Sequence, residues 1–176
     1  MRLPRRLGAT LLVVLLTAFG GPFGVRAERP DVEAGHALQD EVSLETKIGQ
    51  MILVGFLGNS PNRTGFKRVQ AQMEAGEIGG VLYLGRNLKN RATVCRMNSA
   101  LSSVAPAGLP ALIAIDQEGG TVQRLKRRHG FPQTVSAKHM ARRTSPADAA
   151  TAYGVLAEGL ADWGFTLNLG PVVDVD

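Results

Sequence analysis

Ala111-Leu112-Ile113-Ala114-Ile115-Asp116-Gln117-Glu118-Gly119-Gly120 passes from an apolar pentad into two carboxylates and then two glycines. A short apolar run closed by turn residues reads as a strand buried on both faces. The glycines let the chain turn sharply and approach a ligand closely. Thr121-Val122-Gln123-Arg124-Leu125 follows and sets an arginine eight residues beyond Asp116. In a barrel of parallel strands the C-terminal strand ends form the active-site face. A carboxylate there can accept a pair of sugar hydroxyls, and a guanidinium can donate to others in a fixed fork. The same pair also suits a plain structural salt bridge at the sheet rim, and spacing alone leaves both readings open.

On either side of this stretch, helical patterns alternate with short apolar runs. Ser43 caps a helix that ends near Met51, and Ile52–Phe56 reads as the first strand, buried on both faces. Thr64 is placed as the cap of a second helix, with Phe66, Val69 and Met73 on its inner side and Gly76 as its stop. Gly80–Leu84 is a second strand. Asn90 caps a helix whose stripe is Val94, Met97, Leu101 and Val104, with Cys95 taken as a buried structural thiol. Ala111–Ile115 is the third strand, and residues 121–144 hold a loop and a short helix. Ser145-Pro146 opens a helix carrying Ala149, Tyr153, Leu156, Leu160 and Trp163 on one face, and Phe165–Leu169 is the fourth strand. Such alternation signals α/β architecture with a parallel sheet. A doubly wound sheet and a (β/α)8 barrel both fit, although no dinucleotide glycine fingerprint follows the first strand. Eight-stranded barrels take about 250 residues, so four strands imply a barrel truncated after about strand four.

The N-terminus reads as a targeting signal. Arg2, Arg5 and Arg6 precede the apolar run Leu11–Phe19, and Val25-Arg26-Ala27 offers a cleavage point, giving a secretory signal peptide over 1–27 and a polar lead-in over 28–42. The run is shorter than the ~20 residues a membrane span needs, so no stable anchor is expected after cleavage, and the protein is expected to be exported, periplasmic or extracellular. Four of the twenty basic residues (Arg2, Arg5, Arg6 and Arg26) leave with the signal; sixteen then face fifteen acids, which gives no reason to expect nucleic-acid binding. Lys126-Arg127-Arg128-His129 reads as a solvated cluster, and no Cys/His grouping has metal-ligand spacing, so neither a metal nor a cofactor is expected.

Asp-Gln-Glu-Gly-Gly-x-Val-x-Arg at 116–124 resembles the signature of the β-N-acetylhexosaminidase type of glycoside hydrolase family 3. Lys47-Ile48-Gly49-Gln50-Met51 with Val54-Gly55-Phe56, Ile78-Gly79-Gly80-Val81, and Gly164-Phe165 through Asp176 are similar, in the same order, to other segments of that family's N-terminal domain. The resemblance covers 43–176 and implies the N-terminal half of a (β/α)8 TIM-type barrel, a retaining hydrolysis of terminal β-linked N-acetylglucosamine, and a glycan as substrate. It implies that Asp116 binds hydroxyls of the cleaved sugar, that Arg124 contacts the same sugar, and that Glu118 holds the loop or Arg124. Asp174 and Asp176 are implied to order loops. The resemblance implies an aspartate nucleophile, a proton-shuttling histidine on a mobile loop supported by an aspartate, and a Lys-His-x-Pro-Gly-His-Gly segment after strand four, all expected beyond Asp176, so His36, His129 and His139 receive no catalytic role and the 176-residue chain is expected to be inactive by itself and able to self-associate. A β-glucosidase of the same family, or a noncatalytic sugar-binding protein, is the alternative.

Overall fold

A computed structural model describes residues 42–174. The signal segment, His36, Asp176 and all but the last residue of the lead-in lie outside them. Among the described residues five α-helices and six strands run in the order α1 (Leu44–Gln50), β1 (Leu53–Gly55), α2 (Thr64–Glu74), β2 (Gly80–Tyr83), α3 (Arg91–Ser102), β3 (Leu112–Ile115), β4 (Gln117–Gly119), β5 (Val122–Gln123), α4 (Ala137–Arg143), α5 (Pro146–Ala161) and β6 (Leu167–Asn168). Side-chain oxygens fix the starts of three helices as the sequence predicts. Ser43 accepts from the Thr46 amide at 3.1 Å, Asn90 from Thr93 at 3.0 Å and Ser145 from Asp148 at 3.1 Å, each satisfying one orphan donor of a first turn. Thr64 is not a cap. The extended residue before the helix is Arg63, which offers no capping side chain, and Thr64 already lies in the first turn.

The main sheet has the order β1-β2-β3-β6, with every neighbouring pair parallel. Strand order therefore follows chain order, without the reversal of a doubly wound sheet. It is the arrangement of a (β/α)8 barrel over half its circumference. β4 and β5 form a separate antiparallel hairpin directly after β3.

Register separates the two faces of the sheet. Val81 pairs with Ile113 and Tyr83 with Ile115; all four are fully buried and join Phe66, Val69, Met73, Val94, Met97 and Leu101 in one core. Val54 packs against the same cluster. Each such side chain contributes about 1.5–3 kcal/mol on burial. Phe56, Tyr83 and Phe165 stack edge to face along this side, with centroids 5.0 and 5.2 Å apart. The other face carries the row Leu53–Gly80–Leu112 and the row Gly55–Leu82–Ala114–Leu167. Large and small residues alternate along both rows, as in a barrel interior filled from alternate strands. None of the four leucines belongs to the helix-side core, and Leu112 is 37% exposed.

Two expectations change here. β1 is not buried on both faces: Leu53 and Val54 are half-buried and Gly55 is exposed, because β1 is an edge strand and the helices cover only one side. Cys95 is half-exposed, its Sγ 3.8 Å from the Asp162 carbonyl, because the buried face of α3 runs through Val94, Met97 and Leu101 and leaves Cys95 at its margin.

Candidate functional site at the mouth of strand three

Asp116 is the first residue beyond β3, at the C-terminal end of the parallel sheet. The hairpin β4–β5 folds the chain back so that Arg124, the residue after β5, hydrogen-bonds through a guanidinium nitrogen to Asp116 Oδ2. The two side chains retain 19% and 33% exposure, so the pair is sheltered yet reachable. Arg124 Nε is buried and makes no hydrogen bond. The structure thus brings together both residues singled out in the sequence.

Most of the motif builds the frame that aims them. Gln117 is fully buried: its Nε2 donates to the Leu125 carbonyl at 3.0 Å and its Oε1 accepts from the Leu125 amide at 2.9 Å. The backbone of Gln117 is held in turn by Asn168 of β6, whose Oδ1 accepts from the Gln117 amide and whose Nδ2 donates to its carbonyl, both at 3.0 Å. Gly119 has φ of +94°, and a Cβ there would lie 2.2 Å from the Val135 carbonyl oxygen, so only glycine fits. Gln123 donates to the Gly120 carbonyl at 2.7 Å and accepts from the Thr134 amide at 2.9 Å, closing the loop onto the hairpin. At the neighbouring strand mouth, buried Asn87 accepts from the Leu84 amide at 2.9 Å and donates to the Phe56 and Gly58 carbonyls at 3.0 and 2.8 Å, joining the exits of β1 and β2.

Glu118 is half-buried, with its carboxyl close to that of Asp116. Partial desolvation, the neighbouring Asp116 carboxyl and the negative charge of Asp174 raise its carboxyl above the ordinary glutamate value, while Arg124 opposes the shift. Glu118 therefore supports Asp116, and Asp174 lies close enough to share its field. Glu118 also borders a cleft of about 610 Å³ whose wall includes Thr121, Ser136, Lys138, Val172 and Asp174. Asp116 and Arg124 sit beside this cleft and do not line it. His129 lies on an exposed turn, where partial burial and the charges of Arg128 and Lys126 lower its pKa. His139 lies in α4 and donates its backbone amide to Ser136.

Reasoning from sequence did not single out Gln117, Gln123, Asn168 or Asn87 individually. Their signal is weak: buried amides next to glycine turns, where the ladder bonds of regular structure run out.

Residues 43–176 match the Glycosyl hydrolase family 3 N terminal domain. The chain is 28% identical over 164 residues to a β-hexosaminidase A of Pseudoalteromonas piscicida, covering 82% of this chain and 27% of that protein. It is 33% identical over 101 residues to a β-hexosaminidase of Pseudomonas aeruginosa, covering 57% and 29%. Among solved structures, a family 3 β-N-acetylglucosaminidase from Paenibacillus superposes with a TM-score of 0.63 at 28% identity, over 76% of this chain and 25% of that one. A β-N-acetylhexosaminidase from Beutenbergia cavernae superposes with a TM-score of 0.57 at 33% identity, over 77% and 39%. The chain spans between a quarter and two fifths of the length of these relatives. With the sequential parallel half-barrel and the framed carboxylate at its rim, residues 43–176 place this chain in glycosyl hydrolase family 3, within its N-terminal domain.

Proposed function

We propose that this chain is part of an exported glycoside hydrolase that removes terminal β-linked N-acetylhexosamine, chiefly N-acetylglucosamine, from glycans by a retaining mechanism. The observation that carries the proposal is Asp116, fixed at the mouth of β3 by Arg124 and by the amide frame of Gln117, in a chain whose relatives are named β-hexosaminidases. Asp116 accepts hydroxyls of the cleaved sugar. Arg124 fixes the Asp116 carboxylate and presents its remaining donors to the same sugar. A retaining enzyme forms and then hydrolyses a glycosyl-enzyme intermediate, with one carboxylate as nucleophile and a second group moving the proton. The resemblance assigns both roles to other residues of the family's pattern, and leaves Asp116 and Arg124 to bind the sugar and Glu118 to support them. The basic start, the apolar run Leu11–Phe19 and the small residue Ala27 support export.

The test uses the protein encoded by the whole reading frame, assayed with chromogenic N-acetyl-β-glucosaminide and β-glucoside. The expected result is preference for the N-acetylated substrate. Asp116→Ala should lower kcat/KM by about 10²-fold or more, since hydroxyl contacts that strengthen in the transition state supply several kcal/mol. Preference for the glucoside would assign the chain to the β-glucosidase branch. An unchanged kcat/KM in a folded Asp116→Ala variant would remove Asp116 from the sugar site.

A further inference from the structure

We propose that the segment between β3 and α5 is a docking surface for an acidic polysaccharide, a linear glycan with a carboxylate on successive sugars. From Gly119 to Ala147 the sequence contains no aspartate or glutamate and seven Lys or Arg. The whole chain carries a formal +5, so with seven positive charges here the residues outside this segment sum to −2. Positive charge is therefore gathered in one stretch rather than spread over the surface. Arg124 is committed to Asp116. Lys126, Arg127 and Arg128 on the turn after β5, and Arg142 and Arg143 at the end of α4, are exposed. Among the described residues no carboxylate lies within ion-pair distance of any of these five.

The segment is folded, so these charges are held in place. Gly130, at φ of +76°, ends the turn Arg127–His129, and His129 Nδ1 accepts from the Lys126 amide at 2.9 Å. Phe131 is buried edge to face against Trp163, with centroids 6.1 Å apart, and Met140 is buried on α4. Cations fixed before an anion arrives lower the ordering cost of binding it. Four of the five are arginines, whose forks match a carboxylate bidentately. Residues 131–136 join the turn to α4 over at most ~20 Å. A single anion engages one end of this strip, whereas a chain of anions engages both and gains through effective concentration. The surroundings favour a glycan over other polyanions. Phe131, the segment's one Phe, Tyr or Trp, is buried and leaves no such ring exposed for stacking on nucleic-acid bases. Val135 is its one large apolar side chain exposed, too little to enter a lipid interface. Lys126 lies two residues beyond Arg124, so a chain held at the turn runs close to the sugar site; the choice of a glycan rests on the activity proposed above.

The experiment is titration calorimetry of the protein encoded by the whole reading frame with oligogalacturonides of graded length. Neutral cello-oligosaccharides, single-stranded DNA and phosphatidylglycerol vesicles serve as comparisons. Affinity should rise with oligogalacturonide length, be absent for the neutral chains, and fall on the order of tenfold between about 50 and 300 mM salt. Arg127→Gln with Arg128→Gln, and Arg142→Gln with Arg143→Gln, should each weaken binding by about 2- to 30-fold, the range for two exposed ion pairs, and all four together should abolish it. Lys67→Gln with Arg68→Gln removes the same charge from exposed positions on α2 and should bind as wild type does. Each variant should still turn over a small chromogenic N-acetylglucosaminide as wild type does. A wild type that does not bind, binding independent of length, an equal loss in the α2 variant, or tighter binding to DNA or vesicles at matched anion concentration would overturn the proposal. Should one arginine pair fail to fold, the other pair decides. Binding is read without turnover, so an inactive wild type refutes the proposed activity, and a non-binding one refutes this surface.

Discussion

Gln117→Leu should destabilise the chain by about 2–4 kcal/mol with almost no change in packing volume. The side chain is fully buried and fills both backbone valences of Leu125. Its loss orphans the Leu125 amide, which has no other acceptor among the described residues, at about 1–3 kcal/mol. The Leu125 carbonyl keeps a long contact from Gln133 Nε2 at 3.5 Å, so its loss is nearer the ~0.5–1.5 kcal/mol of an ordinary hydrogen bond. At about 2–4 °C per kcal/mol for a chain of this size, the midpoint should fall by roughly 4–16 °C, measured at one fixed protein concentration. Gln117→Glu sharpens the test. Protonated, it donates to the Leu125 carbonyl and accepts from the amide, as glutamine does. Ionised, it buries a charge against a carbonyl oxygen. Its deficit relative to wild type should be small in acid and grow as the pH rises. If Gln117→Leu melts within 1–2 °C of wild type ( sets that as below ~1 kcal/mol), or if the Glu variant shows no pH trend, the frame described around Asp116 does not carry stability.

Three further outcomes follow from the same geometry. Gly119→Ala should open the β4–β5 hairpin, because the new methyl would meet the Val135 carbonyl at 2.2 Å and φ is +94°; loss of amide protection at Gly120 and Thr134 reads this directly, and retained protection would contradict it. Glu118 has a raised carboxyl pKa, so the native state holds its proton more tightly than the unfolded chain, and this contribution to stability fades as pH rises from the unfolded value of about 4.5 through the folded one. Glu118→Gln should therefore gain on wild type as pH rises from 4 to 7 (a window set by glutamate's ordinary pKa of ~4.3), and a thermal-shift series with the opposite slope would reverse the assignment. Finally, the 176-residue chain should not turn over a chromogenic N-acetylglucosaminide, since no residue in it matches the nucleophile or acid/base that the family resemblance implies; turnover above a mock purification would show that a nucleophile had been missed.

The repetitive parts of the fold were legible because periodicity carries them. Phe66, Val69 and Met73, and Val94, Met97 and Leu101, are the buried faces of α2 and α3, as their spacing predicts. Caps with a short polar side chain just before an apolar repeat were also readable, as at Ser43, Asn90 and Ser145. Thr64 misled because a threonine inside a first turn looks like one that precedes it. The hairpin was hidden because its strands are two and three residues long, below any periodic signal, and its register is set by side-chain amides. Asp116 and Arg124 were visible as charges beside a strand end. Their pairing was one of two open readings, since the reach of an arginine depends on a turn that spacing does not define. The exposure of Leu112 could not be read locally, because whether a second face is covered depends on strands that are not its neighbours in sequence.

The amides around Asp116 have a consequence for how the site responds to its surroundings. Asn168 serves as a strand partner to the backbone of Gln117, and the side chain of Gln117 does the same for Leu125. No group in this relay gains or loses a proton in the biological range. A change of charge on Glu118 with pH therefore leaves every amide of the relay chemically unaltered, so the pH dependence of the Glu118→Gln comparison reports that carboxyl rather than a change in the bonds that hold the hairpin.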